Sequence, residues 1–521
     1  MRFLRSRAKL WAALLTCLAL GGILTLFGNG THWLLSWALY SLFLALGSGG
    51  IYLAWRLTGG NLQAGRIALV AFLLRLVIGV TLMEILPVVG YQDNEATQAG
   101  YFYKDAYFRD QQAWEVAHSD DPLWKAFSGK YVTDQYGGML ALSASIYRYI
   151  SPDVQRPFLI LILAAAAAAM GTLFLWKATR DWFGDSVAHL AAWIFALYPE
   201  AVILGSTHMR EAFVLPAVAL TCFCLTSLRG RITVLVGWLL SAGILILFSP
   251  PSLVIAFVLL IGWWLLEPGR RISWKQLALL AGVLLVGVVL IIAVWSRLPS
   301  LQGKDPLDII STFLRYNTRY QFSLATGSSD VLRKLSDVVG PRWQPALILG
   351  YGAAQPLLPA ALLETGSWFW RLVGTLRGMG WYALLPLLIY GTLACFRAPV
   401  RERRWQLVWL NIVLWAWLAV SAFNAGADQW DNPRYRAILL AWQALSAAWA
   451  WEWGRDRRDP WLKRLFAVEA VFLLLVAGWY AGRYLSRSAI LDSLVVTVFI
   501  LVGGIWIFVG YWGWRRKLWR R

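Results

Sequence analysis

Cysteine is nearly missing from this chain of 521 residues. Its four copies, Cys17, Cys222, Cys224 and Cys395, fall in or at the edge of apolar runs. That placement indicates neither a disulfide framework nor a zinc site and reads as small buried side chains. Charge is scarce as well, at 15% of residues against 59% hydrophobic. A soluble domain of this length needs more polar surface than that, so water is not its main solvent. Acidic residues are the scarcer sign, 28 against 48 Lys and Arg, for a formal charge of +20. The basic residues form short clusters between apolar runs, and no basic domain exists to hold a duplex, so nucleic acid is not a partner. Such clusters set topology and touch lipid headgroups. There is no internal repeat and no low-complexity tract. The first apolar run outlasts a signal-peptide core and ends without a small-residue cleavage site, so it reads as a span.

What is abundant is the apolar run of about twenty residues, the length that crosses the hydrocarbon core as a helix. Such runs predict an all-α, polytopic membrane protein of about fourteen transmembrane helices, a single integral membrane domain over 1–521. The spans are placed near 10–27, 32–55, 67–90, 157–176, 187–205, 211–228, 232–248, 252–267, 276–295, 376–396, 406–423, 437–451, 464–482 and 491–513. Lys and Arg alternate between connections in a way that puts both termini in the cytoplasm. The 33 tryptophans, many beside charged clusters, suit the membrane interface.

Two long segments, 91–156 and 296–375, fall on the outer side. The first predicts interfacial helices. Asp120-Asp121-Pro122 reads as a helix start, and Tyr107, Gln111, Trp114 and Ala117 share a face at helical spacing. The second is broken by Pro341, Pro345, Pro356 and Pro359, which predicts several short helices.

Charges at membrane depth or just outside it are expensive, so they are the candidate functional residues. Four groups stand out. The first outer loop holds Asp93, Glu95, Asp105 and Asp110, any of which could serve as a general base or be a solvated carboxylate. Arg75 lies inside the third span with Glu84 further along, as an interhelical partner or a ligand contact. The turn Ser206-Thr207-His208-Met209-Arg210-Glu211 carries more charge than a tight turn needs. The segment from Asp428 to Arg436 includes Arg434 and Tyr435, suited to an anionic headgroup or to plain interfacial anchoring.

The order of these features resembles the GT-C superfamily of membrane glycosyltransferases, which use a polyprenyl-phosphate-linked sugar as donor. Leu74-Arg75-Leu76 precedes a loop with KDAYFRDQQAW and Asp105. Tyr136-Gly137-Gly138 through Leu140 to Tyr147 follows, then Trp182-Phe183-Gly184, Tyr198-Pro199, Arg210-Glu211 and finally Arg434-Tyr435. Residues 67–228 carry most of the resemblance. Two extra spans precede the family's usual first one, and 296–375 has no counterpart.

The resemblance implies an inverting glycosyltransferase acting on the outer face of the cytoplasmic membrane of a prokaryote. Its partners would be the lipid-linked donor, a lipid, glycan or protein acceptor, and membrane lipids. Asp105 would be the base, with Asp93 the other carboxylate in view. Lys104, Arg210, Glu211, Arg434, Tyr435 and Arg75 would line the substrate site. No metal ligand is assigned, and a divalent cation (Mg or Mn) between phosphate and carboxylates stays open. The alternatives are a lipid-linked polysaccharide polymerase and a lipid or oligosaccharide transporter (flippase). A transporter places binding residues near the midplane, whereas here only Arg75 and Glu84 sit deep.

Overall fold

The structure, a computed structural model, describes residues 2–28, 32–128, 131, 133–226, 231–267, 311–312, 315–316, 318–324, 340–362, 367–399, 403–426 and 428–485. Among these residues there is helix and no strand. In chain order the helices are α1 (Arg2–Phe27), α2 (Trp33–Leu57), α3 (Leu62–Val89), α4 (Glu95–Gln98), α5 (Lys104–His118), α6 (Gly138–Tyr149) and α7 (Pro157–Phe183). Next come α8 (Asp185–Leu197), α9 (Pro199–Gly205), α10 (Glu211–Thr226), α11 (Arg231–Phe248) and α12 (Pro250–Leu265). The remainder are α13 (Gln344–Ala354), α14 (Leu358–Leu362), α15 (Trp368–Cys395), α16 (Arg404–Ala425), α17 (Asp431–Ala437), α18 (Leu440–Asp456) and α19 (Pro460–Leu485).

The expected spans lie over helix where the residues are described, except that 187–205 is split into α8 and α9 and 437–451 runs from the end of α17 into α18; residues 227–228 and the spans at 276–295 and 491–513 lie outside the described residues. Five helices, α2, α3, α7, α15 and α16, are long and apolar enough to cross a bilayer, and the bent pair α8–α9 makes a sixth if counted as one span. That is the make-up of an integral membrane protein. The outward faces agree with it. Leu26, Val88 and Leu474 are each more than 70% exposed, whereas many charged side chains are buried, an inversion that suits a hydrocarbon solvent.

The chain divides into two compact units. The first comprises 1–260, 364–391 and 437–463, and the second 261–363, 392–436 and 464–521. In the first unit α7 is the central helix, packed on α2, α3, α8 and α10. Its run Ala164–Ala169 explains this position. Small side chains let neighbouring backbones approach, which is how helices associate where lipid is as apolar as leucine. Gly171 continues the stripe, and a Cβ there would lie 2.8 Å from Pro216 of α10. In the second unit α13 packs on α16, where Gly352 fits against Ala422.

The break between α8 and α9 follows from Pro199. Proline has no N–H, so the carbonyl of Phe195, four residues earlier, loses its helical donor. The helix bends by 57° there. Arg75, 1% exposed on α3, supplies what is missing. Its guanidinium donates to Phe195 O at 3.3 Å, Ala196 O at 2.9 Å and Ala71 O at 3.1 Å. Gly205 leaves room for it, since a Cβ there would stand 2.6 Å from Arg75 Nε. A second buried charge, Glu200 on α9, is paired with Arg377 of α15 at 2.6 Å.

Segment 91–156 is helical in α4, α5 and α6, with the expected Tyr107–Ala117 face inside α5. The start expected at Asp120-Asp121-Pro122 is only a five-residue 3-10 turn, Leu123–Phe127, with Pro122 just ahead of it. Of 296–375, the described parts form a 3-10 turn at Pro341–Trp343, then α13, α14 and the start of α15. Prolines stand at or near the starts of the first three, as their fixed φ and missing N–H dictate.

Candidate functional site

Helix α5 is the base of the site. Asp105 and Arg109 are one turn apart and share a face. Asp105 is exposed in the first turn, where a carboxylate also suits the helix dipole. Arg109 is 4% exposed. On the inward side of the same helix, Asp110 accepts from Tyr101 Oη at 2.5 Å, Tyr147 Oη at 2.7 Å and Gln155 Nε2 at 2.6 Å. Burial, reinforced by the Asp110 charge, pushes both phenols well above the ordinary tyrosine range. They therefore stay protonated as donors, and Asp110 is an anchor joining α5, α6 and the loop before α7. Arg148 adds a second stitch, donating to Ala117 O at 3.0 Å and to Ser119 O and Asp121 O at 2.9 Å.

Around Arg109 two distant segments meet. Asp134 lies just before α6, with Oδ1 3.9 Å from Arg109 Nε and Oδ2 accepting from Leu140 N at 2.9 Å. The turn into α6 needs Gly137, whose φ of 79° is left-handed. A Cβ there would also press to 2.4 Å from Ala126 O. From the other side, Arg109 Nη1 donates to His208 O at 3.3 Å, which ties α5 to the Ser206–Glu211 turn. His208 Nε2 in turn donates to Pro157 O at 2.8 Å, the role of an ordinary turn histidine. In that turn Arg210 Nε lies 3.3 Å from Glu211 Oε1, and its guanidinium stacks 4.9 Å from the Tyr136 ring centroid.

Electrostatically these groups form one cluster. Burial lowers the pKa of Arg109; the charges of Asp134, Glu211 and Asp105 oppose that, and Arg210 adds to it. Burial also raises the Tyr136 phenol, partly offset by Arg210. The cluster therefore combines an exposed carboxylate, an exposed Lys104 beside it, a mostly buried Arg210 and a fully buried Arg109 that organises the rest. Such a set can receive a proton at Asp105 and meet an anionic group at the arginine. Among the described residues no three of His, Cys, Asp and Glu gather where they could hold a metal ion.

Thus Asp105, Lys104, Arg210 and Glu211 lie in or beside one assembly, although about a hundred residues separate the two pairs. Asp93 is exposed in the turn before α4. Arg75 is spent on the freed carbonyls of α8. Arg434 and Tyr435 belong to the second unit. There Arg434 Nη1 lies 3.3 Å from Asp431 Oδ1 and its guanidinium stacks 5.0 Å from the Tyr435 ring centroid. Sequence reasoning passed over Arg109 and Asp134. The signal available for Arg109 was its one-turn spacing from Asp105, and for Asp134 its place just before the Tyr136-Gly137-Gly138 helix start. Neither a family model nor a curated protein sequence matches this chain.

Proposed function

We propose that this protein is a GT-C-like membrane glycosyltransferase with about fourteen spans and both termini in the cytoplasm. It moves a sugar from a polyprenyl-phosphate donor to an acceptor hydroxyl on the outer face. The observation that carries this reading is the exposed Asp105 set one turn from buried Arg109, with Arg210 and Glu211 brought in from a different loop. In the reaction, Asp105 takes the proton of the acceptor hydroxyl as its oxygen attacks the anomeric carbon. The bond from that carbon to the phosphate oxygen breaks with inversion, and the lipid phosphate leaves with the electron pair. A phosphate is already a weak base, so it needs cationic stabilisation more than a proton, which Arg210 and Lys104 are chemically suited to give. The broken helix α8–α9 is a feature shared with transporters. Here Arg75 takes the freed carbonyls that would hold an ion, which favours transfer over transport.

The test is sugar transfer from a radiolabelled polyprenyl-phosphate donor by the purified full-length protein. Asp105→Asn should fold normally and lose about a hundredfold or more in rate, the scale of general-base removal. Asp93→Asn should keep most of the activity. Wild-type transfer by Asp105→Asn would assign the base elsewhere, and the absence of any transfer by the wild-type protein would remove the reading itself. Topology is checked separately. A cysteine at Ser128, in a background lacking the four native ones, should react with an impermeant thiol reagent in intact cells.

A further inference from the structure

A cavity of about 260 Å³ lies within the first unit. Its walls come from the end of α1, from α2, from the outer part of α3, and from the first outer loop with the start of α7. Two of those walls, α1 and α2, precede the part of the chain that carries the GT-C resemblance. The volume is just below the range of drug-sized pockets and far above that of a single water. It suits one small polar headgroup.

Two charged side chains line the cavity, Arg156 and Glu84. Arg156 is 2% exposed and already committed. It donates to Asp153 Oδ1 at 2.6 Å and Oδ2 at 2.8 Å, to Ser151 Oγ at 2.6 Å and to Ser36 Oγ at 2.9 Å. Its charge is therefore cancelled by Asp153. Glu84 has no cationic partner among the described residues and is exposed on α3. It stands five residues before Val89, about 7.5 Å along the helix from its outer end. An uncompensated carboxylate at that depth in a membrane is costly. With Arg156 neutralised by Asp153, Glu84 is left as the cavity's one uncompensated charge.

Among the other lining residues, several accept hydrogen bonds or offer aromatic faces. Gln155 uses its Nε2 on Asp110, so its amide oxygen is left as an acceptor. Gln111 adds a second amide. Tyr40 and Phe158 stand together at 5.9 Å between centroids, and Tyr101 is a third ring. A carboxylate, amide oxygens and aromatic faces are what an ammonium group with several N–H donors seeks. We infer that this cavity binds a primary ammonium group of the ethanolamine type, with Glu84 as its counter-charge. A lipid headgroup or a free amine would supply the same chemistry. The site does not depend on the transfer reaction.

The experiment uses full-length protein, freed of lipid in detergent, with bound ligand counted by native mass spectrometry. The probes are dioctanoyl phosphatidylethanolamine, dioctanoyl phosphatidylglycerol and soluble ethanolamine. Wild-type protein is expected to prefer the ethanolamine lipid by about tenfold, the scale of one charge-assisted contact. Glu84→Gln should bring the two lipids level, and Glu84→Lys should reverse the preference. Both variants alter an exposed side chain and should melt and elute as the wild type does. Displacement of the lipid by soluble ethanolamine at similar concentration would show that the amine alone is recognised. Its failure to compete would assign the lipid form as the ligand. Equal binding of the two lipids by the wild type, or a preference that survives in Glu84→Gln, would overturn the inference.

Discussion

Glu200 and Arg377 allow a double-mutant cycle with a large expected signal. Their side chains are each 2% exposed and meet at 2.6 Å, in helices α9 and α15. Glu200 Oε1 also accepts from Tyr103 Oη at 3.4 Å, which links the pair to the start of α5. Removing one partner of a buried pair leaves an uncompensated charge and costs about 3–5 kcal/mol. Glu200→Leu and Arg377→Met should each lose that much. Replacing both partners by apolar side chains removes the stranded charge, and such exchanges are often neutral or stabilising. The weak Tyr103 contact is still lost, at about 0.5–1.5 kcal/mol. The double variant should therefore fall within about 2 kcal/mol of wild type. The coupling would be about 4 kcal/mol or more, well above the roughly 0.6 kcal/mol typical of polar contacts between membrane helices. Unfolding by denaturant titration in detergent micelles, followed by tryptophan fluorescence, measures all four proteins. Additive losses, with the double variant as unstable as the sum of the singles, would refute the reasoning.

Two further outcomes are expected. Asp153 is held down to about 2 by its hydrogen bonds from Arg156. A depressed folded-state pKa stabilises above the unfolded value, 3.8 here, and that contribution is lost as pH falls through the folded value. Stability from this pair should thus be constant from neutral pH to about 4 and decline from there towards pH 2. Asp153→Asn should flatten that part of the acid-unfolding profile, and an unchanged slope would exclude the pair as its source. Gly205→Ala should destabilise by about 1–2 kcal/mol in the same titration, because its methyl meets Arg75 at 2.6 Å and overpacking exceeds the gain in helix propensity. A neutral or stabilising alanine would show that Arg75 can move without loss.

The helices were legible in the sequence because a bilayer permits so few structures. Backbone polar groups in hydrocarbon must bond within their own segment, so an apolar run of adequate length becomes a helix whatever its neighbours do. The runs at 67–90 and 157–176 therefore reappear as α3 and α7 with small shifts at their ends. Proline acts just as locally, and the prolines at 341, 345, 356 and 359 divided their segment as their chemistry requires. Charged residues were different. Their presence was visible, but the identity of their partners was not, because a guanidinium spans many residues of sequence to find a carbonyl or a carboxylate. Arg75 reads as a ligand candidate until the tertiary structure sets it against the carbonyls that Pro199 leaves without donors. Asp110 looks like any acidic loop residue until Tyr101, Tyr147 and Gln155 close around it. Arg109 reads as one more basic residue on an amphipathic stretch. Only packing α5 against the Ser206–Glu211 turn buries it and makes it the centre of a charge cluster. Local backbone chemistry and solvent determined the elements, whereas the pairing of buried charges was decided by which distant segments tertiary packing brings together.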